Sequence, residues 1–312
     1  MKRAIKSATV LALVFGTGAF VGIVLQVYLG IGASISNLLR RIGIYHYAYA
    51  PVAELKEQLN QPAIAPRHQG NLKLYILVGQ SNMAGTAEIP AGLKSSANIF
   101  TFGNDYRWAK AMPPIDSGVN QVDAVSIDAD AGFGPAFIFA KTLISQNQNQ
   151  MIGLIPCAKS GSSITDWQES LSDETLYGSC LKRVRAASTM GEPAGILFFQ
   201  GEADAVDPKL FPSLRPDAEA WAEKFATFAF NFRQDIGQPN LPLVYAQLGT
   251  PEDTEGLPNW NAIKAQQESI QIPNAKMIMT EDLPMDGVHY TTESYKVIGQ
   301  RFAEAMTQLS VQ

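Results

Sequence analysis

The chain is predicted to be an α/β protein with a central parallel sheet, and three observations carry that reading. From Leu72 onward short apolar runs alternate with stretches of helical periodicity. The runs show no polar alternation, as expected of strands covered on both faces. The polar motifs that could carry chemistry each follow one of those runs, and strands interleaved with helices build a parallel sheet whose ligands bind beyond the strands' carboxyl ends.

Five strands are predicted, at Leu72–Val78, Ile152–Pro156, Gly195–Phe199, Leu241–Gln247 and Lys276–Thr280. Each is short and rich in β-branched or aromatic residues. A helix over Pro135–Ile144 follows a Gly-Phe-Gly-Pro turn. Leu176, Cys180, Val184 and Ala187 make one helical stripe, and Trp221, Phe225, Phe228 and Phe232 make another. The rings of the second share one face, which reads as core. Trp260, Ile263, Gln267 and Ile270 suggest a third helix. The last starts at Thr291 or Thr292 as cap, with Tyr295, Ile298, Phe302 and Met306 facing inward.

With 46% hydrophobic and 17% charged residues, the 312-residue chain has an ordinary globular composition. Its 24 Lys and Arg include five in the first 41 residues, which hold no acidic side chain. The remainder therefore has 19 against 29 Asp and Glu, a net charge of −10. So acidic a surface, without a Lys/Arg cluster, excludes nucleic acid as a partner. Lys2, Arg3 and Lys6 precede an uncharged stretch from Ser7 to Leu39, 33 residues long and closed by Arg40 and Arg41. Its apolar centre, Val10 to Ile31, matches the roughly 20 residues that cross a bilayer. The expected organisation is a basic segment at 1–7, a membrane anchor or signal segment at 8–34, a Pro-containing stalk at 35–70 and a domain at 71–312. Anchored or cleaved, that arrangement puts the domain outside the cytoplasm. Cys157 and Cys180 fit an oxidising compartment as a bridge and fit any compartment as two buried thiols; spacing alone does not choose.

Gly79-Gln80-Ser81-Asn82-Met83 ends the first predicted strand, and Asp286-Gly287-Val288-His289 follows the last. A serine nucleophile needs a base, usually imidazole, oriented by a third group. Of the three histidines, His46 and His68 precede the folded part, so His289 is the one available to Ser81, and Asp286 is placed to orient it. Each motif alone is equally a polar turn; together they read as a serine hydrolase. The Ser81 amide at a strand-to-helix turn, the Gly161 amide and the Gln200 side chain are candidate oxyanion donors. Glu202 and Asp204 read as braces for the active-site loops rather than a glycosidase pair. No His/Cys/Asp cluster has metal-ligand spacing, and no Gly-rich phosphate loop follows a strand, so neither metal nor cofactor is expected.

Taken in order, these residues resemble the sialate O-acetylesterase domain and carbohydrate esterase family 6, a branch of the SGNH hydrolases. The resemblance runs from about Leu72 to about Leu309. It rests on Gly79–Met83, the Gly-x-Gly-Pro of Gly132–Pro135, Pro156–Ala158 leading to Gly161–Ile164 and Trp167, Gln200–Asp204, and Asp286–His289. It implies a flavodoxin-like three-layer α/β/α sandwich with about five central parallel strands, and removal of O-acetyl groups from carbohydrate of acetylxylan or sialic acid type. It implies Ser81 as nucleophile, His289 as base, Asp286 as its orienter, and Ser81, Gly161 and Gln200 as the oxyanion hole. Gln80, Asn82 and Glu202 are supporting residues. The alternatives are acetyl transfer to a surface glycan and a non-catalytic glycan-binding module. Two departures bear on substrate preference. Phe198-Phe199 stands where the family usually has Trp, often followed by His, and Lys159-Ser160-Gly161-Ser162 where Gly-Gly-Thr is commoner.

Overall fold

The computed structural model describes residues 72–128 and 131–310; the expected 8–34 anchor and 35–70 stalk lie outside the described residues. Apart from Pro208–Ser213, which group separately, the described residues belong to one compact unit. Among them no helix is long and apolar enough to cross a membrane.

The sheet has seven strands: β1 (Leu72–Gly79), β2 (Ile99–Phe102), β3 (Trp108–Lys110), β4 (Met151–Pro156), β5 (Gly191–Phe199), β6 (Leu243–Ala246) and β7 (Ala275–Ile278), in the order β3-β2-β4-β1-β5-β6-β7. All neighbours pair in parallel except β3, which runs antiparallel to β2 at the edge. The five expected strands form the continuous block from β4 to β7. Strands β2 and β3 extend it beyond the expected number and make the sheet mixed. They escape the sequence pattern because they are four and three residues long, and β3 is only half-buried.

Helices α2 (Ala136–Gln146) and α7 (Thr292–Ser310) pack together on one face, and α3 (Leu176–Ala187), α5 (Trp221–Ile236) and α6 (Trp260–Ser269) cover the other. The alternation of side chains along a strand explains both layers. Adjacent in β5, Phe198 packs on Phe225 and Phe228 of α5, at 4.5 and 5.5 Å between ring centroids, whereas Phe199 faces Phe302 of α7 at 6.3 Å. The α5 stripe is buried throughout. Thr175 caps α3 by accepting from the Gly178 N–H at 3.1 Å, and Thr291 accepts from the Ser294 N–H at 3.2 Å ahead of α7. Between α1 (Ser81–Ala84) and α7 lie also the single turn α4 (Glu202–Ala205) and a short hairpin, β8 (Met285–Asp286) with β9 (His289–Tyr290).

Strand β1 is flanked by β4 and β5, so the loops leaving those two strands stand on either side of the turn that follows β1. Chain connections diverge there, which makes it the crevice at which open α/β sheets bind ligands. The β4 loop is tethered from behind. Cys157 and Cys180 form a disulfide with Cα atoms 5.4 Å apart, joining the end of β4 to α3. One turn further along α3, the fully buried Arg183 donates to the Pro156 carbonyl and to Asn104, and to Asp123 at 2.9 Å.

Closing a 23-residue separation removes unfolded-chain entropy worth about 3 kcal/mol. The Cys157→Ala/Cys180→Ala double variant is expected to lose about that much stability in urea unfolding. A loss below about 1 kcal/mol would show that the bridge adds little to the native state.

Candidate active site

Ser81 sits where β1 gives way to α1. Gly79 allows the turn: its φ is +136°, and a Cβ there would lie 2.0 Å from the Phe199 carbonyl oxygen. Gln80 donates its N–H to that same carbonyl at 2.9 Å, which pins the turn to the end of β5. The Gln80 side chain accepts from the Ala203 N–H at 3.2 Å, adding a second tie, to α4.

The histidine arrives on the β8–β9 hairpin, where Asp286 and His289 are paired in register across a turn at Gly287. The hairpin is anchored by Tyr290, whose hydroxyl meets Thr280 Oγ1 at 2.6 Å and whose ring packs on Phe199 at 5.6 Å. The result is His289 Nε2 at 2.9 Å from Ser81 Oγ, hydrogen-bonding distance for a hydroxyl donating to a neutral imidazole. Burial pushes the His289 pKa below the ordinary imidazole value, opposed by the charges of Asp286 and then Asp128. Asp286 is exposed and acts on the ring through charge; among the described residues no side-chain hydrogen bond joins it to His289.

Asn82 links the two halves. Its Nδ2 donates to the Val288 carbonyl at 2.9 Å and to Glu202, and its Oδ1 accepts from the Tyr295 hydroxyl at 2.6 Å. Glu202 is buried, and among the described residues its second oxygen has no hydrogen-bond partner. Burial pushes its pKa up to about 7, against the Asn82 hydrogen bond, which lowers it.

Of the three expected oxyanion donors, two are available. Ser81 N–H belongs to the first residue of α1, where a helix leaves its donors unpaired, and Gly161 lies in a loop at φ +71°. Among the described residues neither N–H has an acceptor. The third, Gln200, is engaged elsewhere. It is fully buried, and its Nε2 is committed to the Ser162 carbonyl at 3.0 Å and to Asp204 at 2.5 Å, while its Oε1 accepts from Trp221 Nε1 at 2.8 Å. An amide so enclosed braces the Gly161 loop from below and does not present a donor to the crevice. Asp204 does the same work with its oxygens, accepting from the Ile164 and Asp217 N–H groups at 2.8 Å each.

Sequence reasoning missed Asp128 and Tyr295. Asp128 is buried, accepts from the Ser160 N–H at 2.6 Å and adds its charge near His289. Its one signal is its place in an acidic loop just before the Gly-x-Gly-Pro turn. Tyr295 reads simply as one member of an apolar helical stripe. Among the described residues no group of three or more His, Cys, Asp or Glu side chains could hold a metal ion.

A mostly parallel sheet between two helical layers, with its polar loops gathered at one edge, defines an α/β protein whose candidate site lies at the carboxyl ends of the strands. The chain belongs to the carbohydrate esterase, sialic acid-specific acetylesterase family, whose model matches residues 71–308. It is thus a hydrolase acting on carboxylic ester bonds. A probable carbohydrate esterase of Arabidopsis thaliana is 26% identical over 255 residues, spanning 75% of this chain and 89% of its own length. The solved structure of that Arabidopsis protein superposes with a TM-score of 0.64 at 25% identity, over 77% of this chain and 98% of its own. Two more distant structures share the fold. A carbohydrate acetylesterase of Xanthomonas citri has a TM-score of 0.55 at 20% identity, covering 77% of this chain and 56% of its own, and NanS has 0.57 at 17%, covering 77% and 98%.

The raised Glu202 pKa makes stability depend on pH. The fold favours the neutral carboxyl, so its contribution is complete below the usual value of 4.5 and is lost as pH rises through about 7. Glu202→Gln keeps an acceptor for Asn82 and cannot ionise. Urea unfolding of both proteins at pH 4 and pH 9 should show the difference moving by about 3 kcal/mol in favour of the variant as pH rises. A pH-independent difference would show that folding does not hold this carboxyl neutral.

Proposed function

We propose that the protein removes O-acetyl groups from carbohydrate hydroxyls through an acetyl-serine intermediate. The observation that carries this reading is the 2.9 Å contact between Ser81 Oγ and His289 Nε2 at the crevice of the sheet. His289 takes the Ser81 proton as Oγ attacks the acetyl carbonyl. The sugar oxygen leaves with that proton from the imidazolium, and a water activated by the same ring then releases acetate. Ser81 N–H and Gly161 N–H would meet the charge that develops on the carbonyl oxygen. Asp286 is assigned the support of the imidazolium by charge, with Asp128 adding in the same sense. The family match and the Arabidopsis relative support a carbohydrate substrate.

Ser81→Ala is expected to lower kcat about a thousandfold or more on any acetyl ester, with unfolding unchanged. Substantial residual turnover in a folded variant would discard the acetyl-serine. Because His289 must be neutral to accept the proton and its pKa is lowered, kcat/KM should rise with pH through an inflection below 6.5 and be level by neutral pH. An inflection well above that value would mean the base is not this desolvated ring.

A further inference from the structure

We propose that the cleft beside the Gly161 loop is a subsite for a neutral sugar chain, holding units next to the acetylated one. The proposal rests on the esterase reading of Ser81 and His289 and adds a substrate class to it. The cleft has a volume of about 510 Å³, far more than an acetyl group needs and within the range of small-molecule sites, roughly 300–1,000 Å³. One wall includes Lys159–Ser162, the segment that carries the Gly161 N–H. Ser162 Oγ donates to the Gly79 carbonyl at 3.3 Å, so that wall is one hydrogen bond from the nucleophile's turn. A chain bound there would lie directly beside the acyl site.

The lining defines the chemistry of the occupant. Ligand pockets are ordinarily mostly apolar with a few polar groups. Here Val125 and Leu176 are the apolar members of a wall otherwise made of hydroxyl, amide and charged side chains. Such a surface suits a polyhydroxylated ligand. Its charges balance: Lys159 and Arg215 stand against Asp166 and Glu174. Both cations are also engaged. Arg215 Nη2 donates to Asp166 at 2.5 Å, and Lys159 Nζ donates to the Ile127 carbonyl at 2.7 Å. Asp166 is itself fixed, accepting from the Ser163 N–H at 2.9 Å and its hydroxyl at 3.0 Å. No surplus positive charge selects an acidic sugar, and the net charge of −10 beyond the first 41 residues opposes one. Paired in this way, Arg215, Asp166 and Lys159 are held in place to meet the hydroxyls of a neutral chain, so less side-chain entropy is lost when it binds.

The test compares kcat/KM on partially acetylated cello-oligosaccharides, on O-acetyl sialic acid and on an aryl acetate. Arg215→Ala and Glu174→Ala, both at exposed positions, should each lower the ratio of oligosaccharide to aryl acetate about tenfold, mostly through KM, as expected when a charged hydrogen-bond partner is removed. Glu174→Trp, which fills the cleft, should lower the ratio at least as far. Relative to aryl acetate, the wild type should prefer the neutral oligosaccharide to the sialic acid ester. Unchanged ratios in all three variants would overturn the subsite, and preference for the acidic sugar would overturn its neutrality. Aryl acetate turnover that survives Ser81→Ala would instead remove the esterase mechanism. The subsite then stands or falls on titrating deacetylated cello-oligosaccharides into Ser81→Ala. Saturable binding that Glu174→Trp abolishes supports it, and no binding overturns it.

Discussion

Ser81 and His289 are 208 residues apart in the chain and 2.9 Å apart in space, and the Asn82 side chain is the constraint on which that approach depends. Asn82 is fully buried and uses both ends of its amide: Nδ2 to the carbonyl just before His289 and to Glu202, Oδ1 to the Tyr295 hydroxyl. Hydrogen bonds in so dry a place are stronger than in water, and an unmade one is correspondingly costly. The residue after Ser81 therefore positions the residue before His289. The cost falls on Glu202, a carboxyl taken out of water to accept from Asn82 and pushed toward its neutral form. A turn of four residues and a hairpin of two-residue strands have little stability of their own; this buried polar cluster gives them a common geometry.

A second constraint fixes the Gly161 loop. From below, Gln200 holds the Ser162 carbonyl and Asp204 holds the Ile164 N–H. From the side, Asp128 holds the Ser160 N–H. From behind, the Cys157–Cys180 bridge and Arg183 fasten the end of β4. Both Asp204 oxygens are taken up by the Ile164 and Asp217 N–H groups and the Gln200 amide, so this carboxyl serves the architecture of the loop. An oxyanion site is effective when its donors are already in place before charge develops. In the proposed mechanism the Gly161 N–H meets that condition, because the chain on either side of it is held by partners that no substrate has to order.

How much of this was legible in the sequence follows from what each residue does. Strands β1, β4, β5, β6 and β7 announced themselves because coverage on both faces demands continuous apolar runs. Strands β2 and β3 did not, being too short for a period and set at an edge where the demand lapses. Ser81, Asp286 and His289 stood out as candidates because a nucleophile, an acid and a base are drawn from a small set of residue types, and one histidine was available. Gln200 was read as a donor to the crevice because the identity of an amide says nothing about which way it points. Its rotation downward is set by Trp221, Asp204 and Ser162, partners contributed by three separate segments. Asp128 and Tyr295 were invisible for the same reason: their importance lies in tertiary partners, and neither has a local pattern to betray it.

The two departures from the family pattern can now be weighed against each other. Phe198 and Phe199 occupy positions where Trp and His are usual, and both are buried at 1% exposure or less. Phe198 serves the α5 layer, and Phe199 supports Tyr290, the neighbour of His289. Phe199 thus bears on the hairpin through Tyr290, whereas Phe198 packs away from it, on α5. Lys159-Ser160-Gly161-Ser162 is different, because it forms both the acyl-side loop and a wall of the polar cleft. A lysine and two serines in that wall change what hydroxyls can meet without moving Ser81 or His289. On the proposed reading, preference among sugars therefore belongs to this loop, and the acyl chemistry belongs to the turn and hairpin joined by Asn82.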